Sequence, residues 1–565
     1  MRFLDKGSLV KVLLYKISCY CHTVRYLKPS QIFWRLLYKI YPVKPDLKPC
    51  PELRQMLGHW VLPIKSHKSL MIDGSFKFLN KRERLETIGW DGPACEKLWR
   101  YNQHYFDYLG ARDASGWLNL HIDLMCDWVA NNRPGQGTGW EPYPTSLRIV
   151  NWIKWSLSDN AMPEECLQSL AVQARWLNRK IEWHILGNHV FANAKALIFA
   201  GLFFDGKEAE TWLNRGLNIL SREMDEQILQ DGGHFELSPM YHSIVLTDVL
   251  DLINLLQAFP HLAGKVHLRQ LQTLAVDMLQ WLDTMCHPDG EIAFFNDAAF
   301  NVAPTPTAIR SYARSLGIDP RFSSVIQKPP LFKHCPDSGY AALEVNHAKL
   351  LVDVASIGPD YLPGHGHADT LSFELSLFGK RTIVNRGTSQ YGNGEWRQVE
   401  RGTAAHNTVV VNKENSSEVW SGFRVARRAR PLGLVIDKNE DSITVSCSHD
   451  GYKRLSGCPV HWRSWTLADG TFLIKDKVEG AFKIATAYFH FHPDIEIVCA
   501  GEDSWMLNVP ECNESVLLIV LKGLPNIVAS VFSPEFGVQL PTKCLEIQFD
   551  RTSEIAVEIS WIAND

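Results

Sequence analysis

Histidines 365 and 367 stand two apart in the stretch DYLPGHGHADTLSFEL, directly after Pro363 and Gly364. On an extended segment that spacing turns both imidazoles to one face. Such a pair is either a set of ligands or catalytic groups, or a solvated strand edge. Four further polar clusters bear on the choice. In WHILGNHVFANAKAL, Asn188 and His189 follow Gly187 and open a helix, where side chains and free backbone N–H groups can face an anion. Asn188 reads equally well as a helix N-cap. In DGGHFELSPMYHSIVL, Tyr241 and His242 open the next helix after a turn at Gly232 and Gly233, and a buried ring is the plainer reading of the tyrosine. In WEPYPTSLRIVNW, Arg148 and Asn151 lie about one turn apart around Trp140 and Trp152. A cation among aromatic rings suits a carboxylated or sulfated sugar, and a core salt bridge fits as well. Finally, RGTAAHNTVVVN adds His406. With His367 it could bind a divalent metal through imidazole nitrogen, Asn385 contributing an oxygen.

The elements that must position these clusters fall into two textures. From about Trp117 to Leu316 apolar residues recur at i, i+3, i+4 and i+7, as in EAETWLNRGLNILSREMDEQIL and SIVLTDVLDLINLLQAF. Short Gly, Pro, Asp or Asn punctuation separates these helices, and no fixed 34- or 40-residue period marks a solenoid. After a Pro pair at 329–330 the pattern becomes alternating and β-branched, as in TLSFELSLFG and SWTLADGTFLIKDKVEG. The expected fold class is therefore α+β and multidomain. A basic helical segment covers 1–60 and helix pairs cover 61–330. An antiparallel β domain, most simply two stacked sheets, covers 336–565. His365 then starts the β region, and its partners must come from helices across an interdomain cleft.

Composition narrows the function. The chain of 565 residues is 45% hydrophobic and 21% charged with a net charge of −4, so it builds large cores, and no long basic block points to nucleic acid. Nineteen Trp and 26 Phe give many rings on which sugar C–H faces could stack. The 13 cysteines are odd in number and form no CxxC pair, which fits reduced thiols rather than a disulfide framework. Lys11 and Lys16 interrupt the first apolar run, so neither a signal peptide nor a spanning helix is expected. By sequence that places the chain in the cytoplasm, whereas action on extracellular polysaccharide would place it in the periplasm or outside. The segment reads as one or two basic amphipathic helices, which could touch a membrane surface, although packing on the main domain is the expected reading.

Taken jointly, YNQHYFDYL, GNHVFANAKALIFAGLFF, ELSPMYH, GHGHADTLSFEL, GTSQYG and TAAHNTVVV resemble the heparinase II/III-like polysaccharide lyases, relatives of alginate lyases. The resemblance runs from about residue 101 to 411. It implies an N-terminal α/α toroid, an incomplete barrel of helix pairs, followed by a β-sandwich-type domain. It also implies β-elimination on an anionic uronate polymer such as heparan sulfate, hyaluronan, chondroitin or alginate. By similarity Asn188 and His189 would neutralise the uronate carboxylate. Tyr241 would protonate the leaving oxygen and His365 would assist, with Tyr391 a further functional tyrosine. Arg148, Trp140, His104, Tyr105, His242 and Arg397 complete the expected substrate-binding set. His367, Asn385 and His406 match the ligands of a structural divalent metal, Zn2+ or Mn2+. Relatives carry Asp where Asn385 stands, and a neutral amide is a poorer ligand for a hard cation. Two alternatives remain. A glycoside hydrolase would need opposed carboxylates, for which Glu141, Asp231, Glu236 and Asp297 are available but pair with none of the clusters. A non-catalytic polysaccharide-binding protein of surface-polysaccharide assembly would bind without turnover.

Overall fold

A computed structural model describes residues 6–112, 116–262, 265–319, 331–550 and 554–562. The Pro pair at 329–330, and with it the expected linker, lies outside the described residues.

Burial sorts the helices into two layers. Helix Asn188–Phe203 is buried at every position except His189, and helix Pro239–Ala258 is buried at most of its length. Both are buried around most of the circumference, with Asn193 bonded to Ser146 and Lys195 paired with Asp248 and Asp251 inside, which only an inner helix can satisfy. Their neighbours Glu164–Arg179 and Lys207–Gln227 carry one apolar stripe and a charged outer face. Helix Asn188–Phe203 packs on both of these and on Pro142–Leu157 and Pro239–Ala258. Inner and outer helices thus alternate along the chain, the layering an α/α toroid requires. A short hairpin, Ser75–Phe78 with Lys81–Arg84, interrupts the helical region where no strand was expected.

The C-terminal half holds three antiparallel sheets of five, four and eight strands, with a small two-stranded ribbon. The five- and four-stranded sheets are joined by an antiparallel bridge between Ile383 and Phe491. Leu343 and Leu375 from the first, Ala487 and Leu545 from the second, and Trp465 and Val557 from the third share one core. The result is a sandwich-type packing rather than two simple sheets. A smaller core ties the halves together: Trp281 of helix Lys265–Thr284 and Met285 just after it pack on Tyr340 and Leu351 of the five-stranded sheet. That contact fixes the cleft in which the polar clusters meet.

Candidate active site

Asn188, His189, Glu236, Tyr241, His365 and Tyr391 all line one cleft of about 2040 Å³ between the helical and β regions. Local backbone geometry brings them there. Gly187, with φ +59°, precedes the first turn of helix Asn188–Phe203. A Cβ at Gly187 would stand 2.3 Å from Leu362 Cδ2 and 2.8 Å from Glu236 Oε1, so only glycine fits this close approach. Non-glycine residues with left-handed φ flank three site residues: Leu186 before Gly187, Leu237 after Glu236 and Asn296 before Asp297. Strain of that kind gathers where side chains must be aimed.

On the helical side, Gly187 occupies the N-cap position, so Asn188 is the first helical residue and not the cap. The Asn188 backbone N–H donates to Glu236 Oε1 at 3.2 Å. Among the described contacts its side-chain amide makes no hydrogen bond within the protein and stays available to a ligand. His189 stacks on Tyr143 with ring centroids 4.4 Å apart and sets Nδ1 3.1 Å from Glu182 Oε2. Burial alone would lower the His189 pKa, but the adjacent Glu182 carboxylate outweighs it and the net shift is upward. His189 is thus biased toward the imidazolium, a cation suited to a bound carboxylate.

On the β side, His365 Nδ1 lies 2.8 Å from Asp297 Oδ2, while Nε2 faces Glu236 Oε2 at 3.4 Å. The His365 ring stacks on Tyr241 at 3.8 Å, and the Tyr241 and Tyr391 hydroxyls are 3.0 Å apart. Burial, then the neighbouring Tyr391 and Asp297, hold the Tyr241 hydroxyl well above its usual pKa, so it keeps its proton. Asp297 is fully buried, and Arg397, His365 and His367 overcome the cost of burial and hold its pKa well below the usual value. His365 Nδ1 must then donate, which leaves Nε2 as a lone pair toward Glu236. Burial raises the Glu236 pKa, which favours its protonated form, and its Oε2 makes no hydrogen bond within the protein among the described residues.

The two opening histidines lie in a loop rather than a strand, yet both imidazoles address one carboxylate, since His367 Nε2 sits 2.8 Å from Asp297 Oδ1. His365 reaches the cleft, and His367 is fully buried.

The expected metal set needs revision. His367 Nδ1 and His406 Nε2 face each other at 3.1 Å. Asn385 Oδ1 instead faces the other nitrogen of His406, at 3.2 Å, and also accepts from Ser372 Oγ and the Asn407 backbone N–H. That backbone donor fixes the atom as oxygen, so His406 Nδ1 carries a hydrogen. His367 Nε2 carries one too, because it meets the ionised Asp297. With both rings neutral, two lone pairs then point at each other across 3.1 Å, an arrangement that a cation between them satisfies. The two imidazoles fit a borderline divalent ion, and Asn385 fits as the acceptor that sets the His406 tautomer, not as a ligand. Among the described residues no three His, Cys, Asp or Glu side chains converge to hold a metal. Any ion here needs further, non-protein ligands.

Several expected substrate contacts are core contacts instead. Arg148 is fully buried over Trp128 and bonds to Gln173 and the His104 carbonyl. Trp140 donates to the Asn132 carbonyl, and His104 accepts from Trp128. His242 bonds to the Met278 carbonyl and stacks on Trp281. Arg397 lies behind Tyr391 and grips Asp297. Tyr105 alone of that set lines the cleft. The sequence also implied that no carboxylate joins the Asn-His and Tyr clusters, whereas Glu236 and Asp297 both do. Glu182 stands in no motif, and Tyr143, inside WEPYPTSLRIVNW, is marked there by nothing that points to His189. Glu141 is engaged by Lys97 and Tyr101, and Asp231 by Ser338.

Two family models match the chain, the heparinase II/III N-terminus over residues 117–316 and the heparinase II/III-like C-terminal domain over 327–562. The chain belongs to the heparinase II/III-like family. It is 34% identical over 369 residues to a heparin-sulfate lyase of Bacteroides thetaiotaomicron, covering 56% of this chain and 51% of the relative. A heparin-sulfate lyase of Bacteroides stercoris is 26% identical over 346 residues, covering 56% and 47%. The chain spans about half the length of the curated relatives it matches. In fold it is similar to a crystal structure of heparinase III (TM-score 0.65, 17% identity, 82% of this chain and 76% of that one). It is likewise similar to the heparan sulfate lyase HepC of Pedobacter heparinus (TM-score 0.57, 18% identity, 94% and 88%).

Proposed function

We propose that this protein is a polysaccharide lyase that cleaves a glycosaminoglycan-type uronate polymer by β-elimination. One observation carries the reading. A carboxylate-neutralising trio of Asn188, His189 and Glu236 lines the same cleft as the stacked proton-transfer groups Tyr241 and His365. A uronate C5 proton becomes acidic only when its carboxylate charge is offset. The free Asn188 amide, the His189 imidazolium and a protonated Glu236 would supply that offset and leave the His365 Nε2 lone pair free. His365 Nε2 then takes the C5 proton, the C5–H electrons form the C4=C5 double bond, and the C4–O bond breaks. Tyr241 gives its hydroxyl proton to the departing oxygen. The imidazolium returns a proton to the Tyr241 phenolate on which it stacks, so no outside acid or base is consumed.

Lys65, Lys68 and Lys77 line the cleft and form no ion pair among the described residues. They suit an anionic chain, and the named activity of the relatives favours heparan sulfate over hyaluronan, chondroitin or alginate. We assign His367 Nδ1 and His406 Nε2 to a structural Zn2+ or Mn2+, which when bound would fix the loop carrying His365. The hydrolase alternative is weaker, because Glu236 is the one carboxylate of the four candidates that lines the cleft. The experiment is a panel of uronate polymers scored for near-ultraviolet absorbance of the conjugated unsaturated product. New reducing ends without that absorbance would mean hydrolysis, and binding without turnover would mean a non-catalytic protein.

A further inference from the structure

The outward faces of the first two helices are apolar, the reverse of what a helix docked on a water-soluble core presents. Helix Lys6–Val24 docks through Cys19, which is buried, and Thr23, whose hydroxyl lies between the Trp420 indole N–H and the Val425 carbonyl. Helix Pro29–Ile40 docks through Gln31, Trp34 and Tyr38, the last donating to the Ile181 carbonyl at 2.6 Å. Helical spacing puts Leu13, Leu14, Ile17 and Val24 opposite the first contact, each 48–60% exposed. It puts Ile32, Phe33, Leu36 and Ile40 opposite the second, each 44–66% exposed.

Charge identifies the occupant. Between Leu13 and Tyr41 the sequence has five Lys or Arg and no Asp or Glu, although the whole chain has a net charge of −4. Lys16, Arg35 and Lys39 make no ion pair among the described residues. Apolar stripes flanked by unpaired cations are the makeup of helices that lie in the headgroup region of an anionic bilayer. A second protein copy would match the apolar stripe but would place these cations against their own kind. Among the described residues no helix is long and apolar enough to cross a membrane, so the contact is a surface one. Tyr20, Leu27 and Arg35 also line the cleft, which puts its mouth beside these helices.

We propose that helices Lys6–Val24 and Pro29–Ile40 form a docking surface for an anionic phospholipid bilayer, holding the cleft at the membrane surface. Flotation of the full chain with vesicles tests this. Vesicles of 70:30 phosphatidylcholine and phosphatidylglycerol should carry the protein at least tenfold better than pure phosphatidylcholine. The variant Phe33→Ser/Leu36→Ser/Ile40→Ser should lose at least tenfold of that partitioning with an unchanged melting temperature. Lys16→Glu/Lys39→Glu should abolish the lipid preference, since each cation at such a surface contributes roughly fivefold. Failure of the wild type to float with anionic vesicles, or unaltered flotation of both variants, overturns the proposal. So does a wild-type dimer that the serine variant splits while neither protein floats.

Discussion

Tyr241→Phe separates chemistry from structure more cleanly than any other single change. The phenyl ring keeps its place on His365, 3.8 Å away, and its contacts within the helical core. What disappears is one hydroxyl and its 3.0 Å hydrogen bond to Tyr391. A hydrogen bond of that kind contributes about 1 kcal/mol, so the melting temperature should fall by a few degrees at most. The same hydroxyl, as the acid for the leaving oxygen, is worth about 10²–10⁴ in rate, or roughly 3–5.5 kcal/mol of barrier. Turnover should therefore fall at least a hundredfold in a protein that melts almost normally. A second substrate sharpens the test. A uronate bearing fluoride at C4 needs no protonation of its leaving group, so it should restore Tyr241→Phe turnover to within about tenfold of wild type. His365→Ala should gain nothing from it, because the C5 proton still has no acceptor. Retention of more than a tenth of wild-type turnover on polymer, or rescue of both variants alike, would refute the assigned roles.

Asn188→Ala should lower turnover by about 3–4 kcal/mol in barrier with little change in melting temperature, because Asn188 is not the helix cap; a loss confined to stability would assign it a structural role. Gly187→Ala should destabilise the protein by more than the roughly 1–2 kcal/mol of left-handed strain, since its Cβ also strikes Leu362 and Glu236, and denaturant melts would show it. His365→Ala should lose turnover with unchanged metal content, whereas His367→Ala should lose metal and stability together; stoichiometric metal by mass spectrometry in His367→Ala, or none in wild type, would remove the ligand assignment. His189 has its pKa raised in the folded protein, so its pairing with Glu182 stabilises fully below about pH 6.5 and fades as pH rises through the raised value. The melting-temperature gap between wild type and His189→Gln should accordingly be widest in mild acid and close at alkaline pH.

The layered fold was legible in the sequence because helix and strand periods differ and change over near residue 330. So were Asn188, His189, Tyr241, His365 and Tyr391, which stand in glycine-punctuated motifs that open helices or loops. Arg148 and Trp140 misled, because a cation among rings looks the same whether it faces a sugar or a buried Gln173. In sequence nothing joins Glu236 or Asp297 to His365. Their pairing with His365 spans 129 and 68 positions of chain, and only the packed interdomain contact creates it. Asn385 shows the same limit at finer scale. Its position in a motif marked a ligand, while its Ser372 and Asn407 partners turn the oxygen toward His406 instead. The outward apolar stripes of the first two helices were visible as periodicity, but which face would dock was not.

Elimination at the uronate C4–O bond is tested most directly by its product. Heparan sulfate incubated with the purified chain should yield fragments whose new non-reducing end carries a C4=C5 double bond, seen as near-ultraviolet absorbance and as a vinylic H4 signal by nuclear magnetic resonance. Reaction in deuterium oxide should place no deuterium at C4 or C5. Fragments ending in a saturated uronate, with no C4=C5 double bond, would instead show hydrolysis.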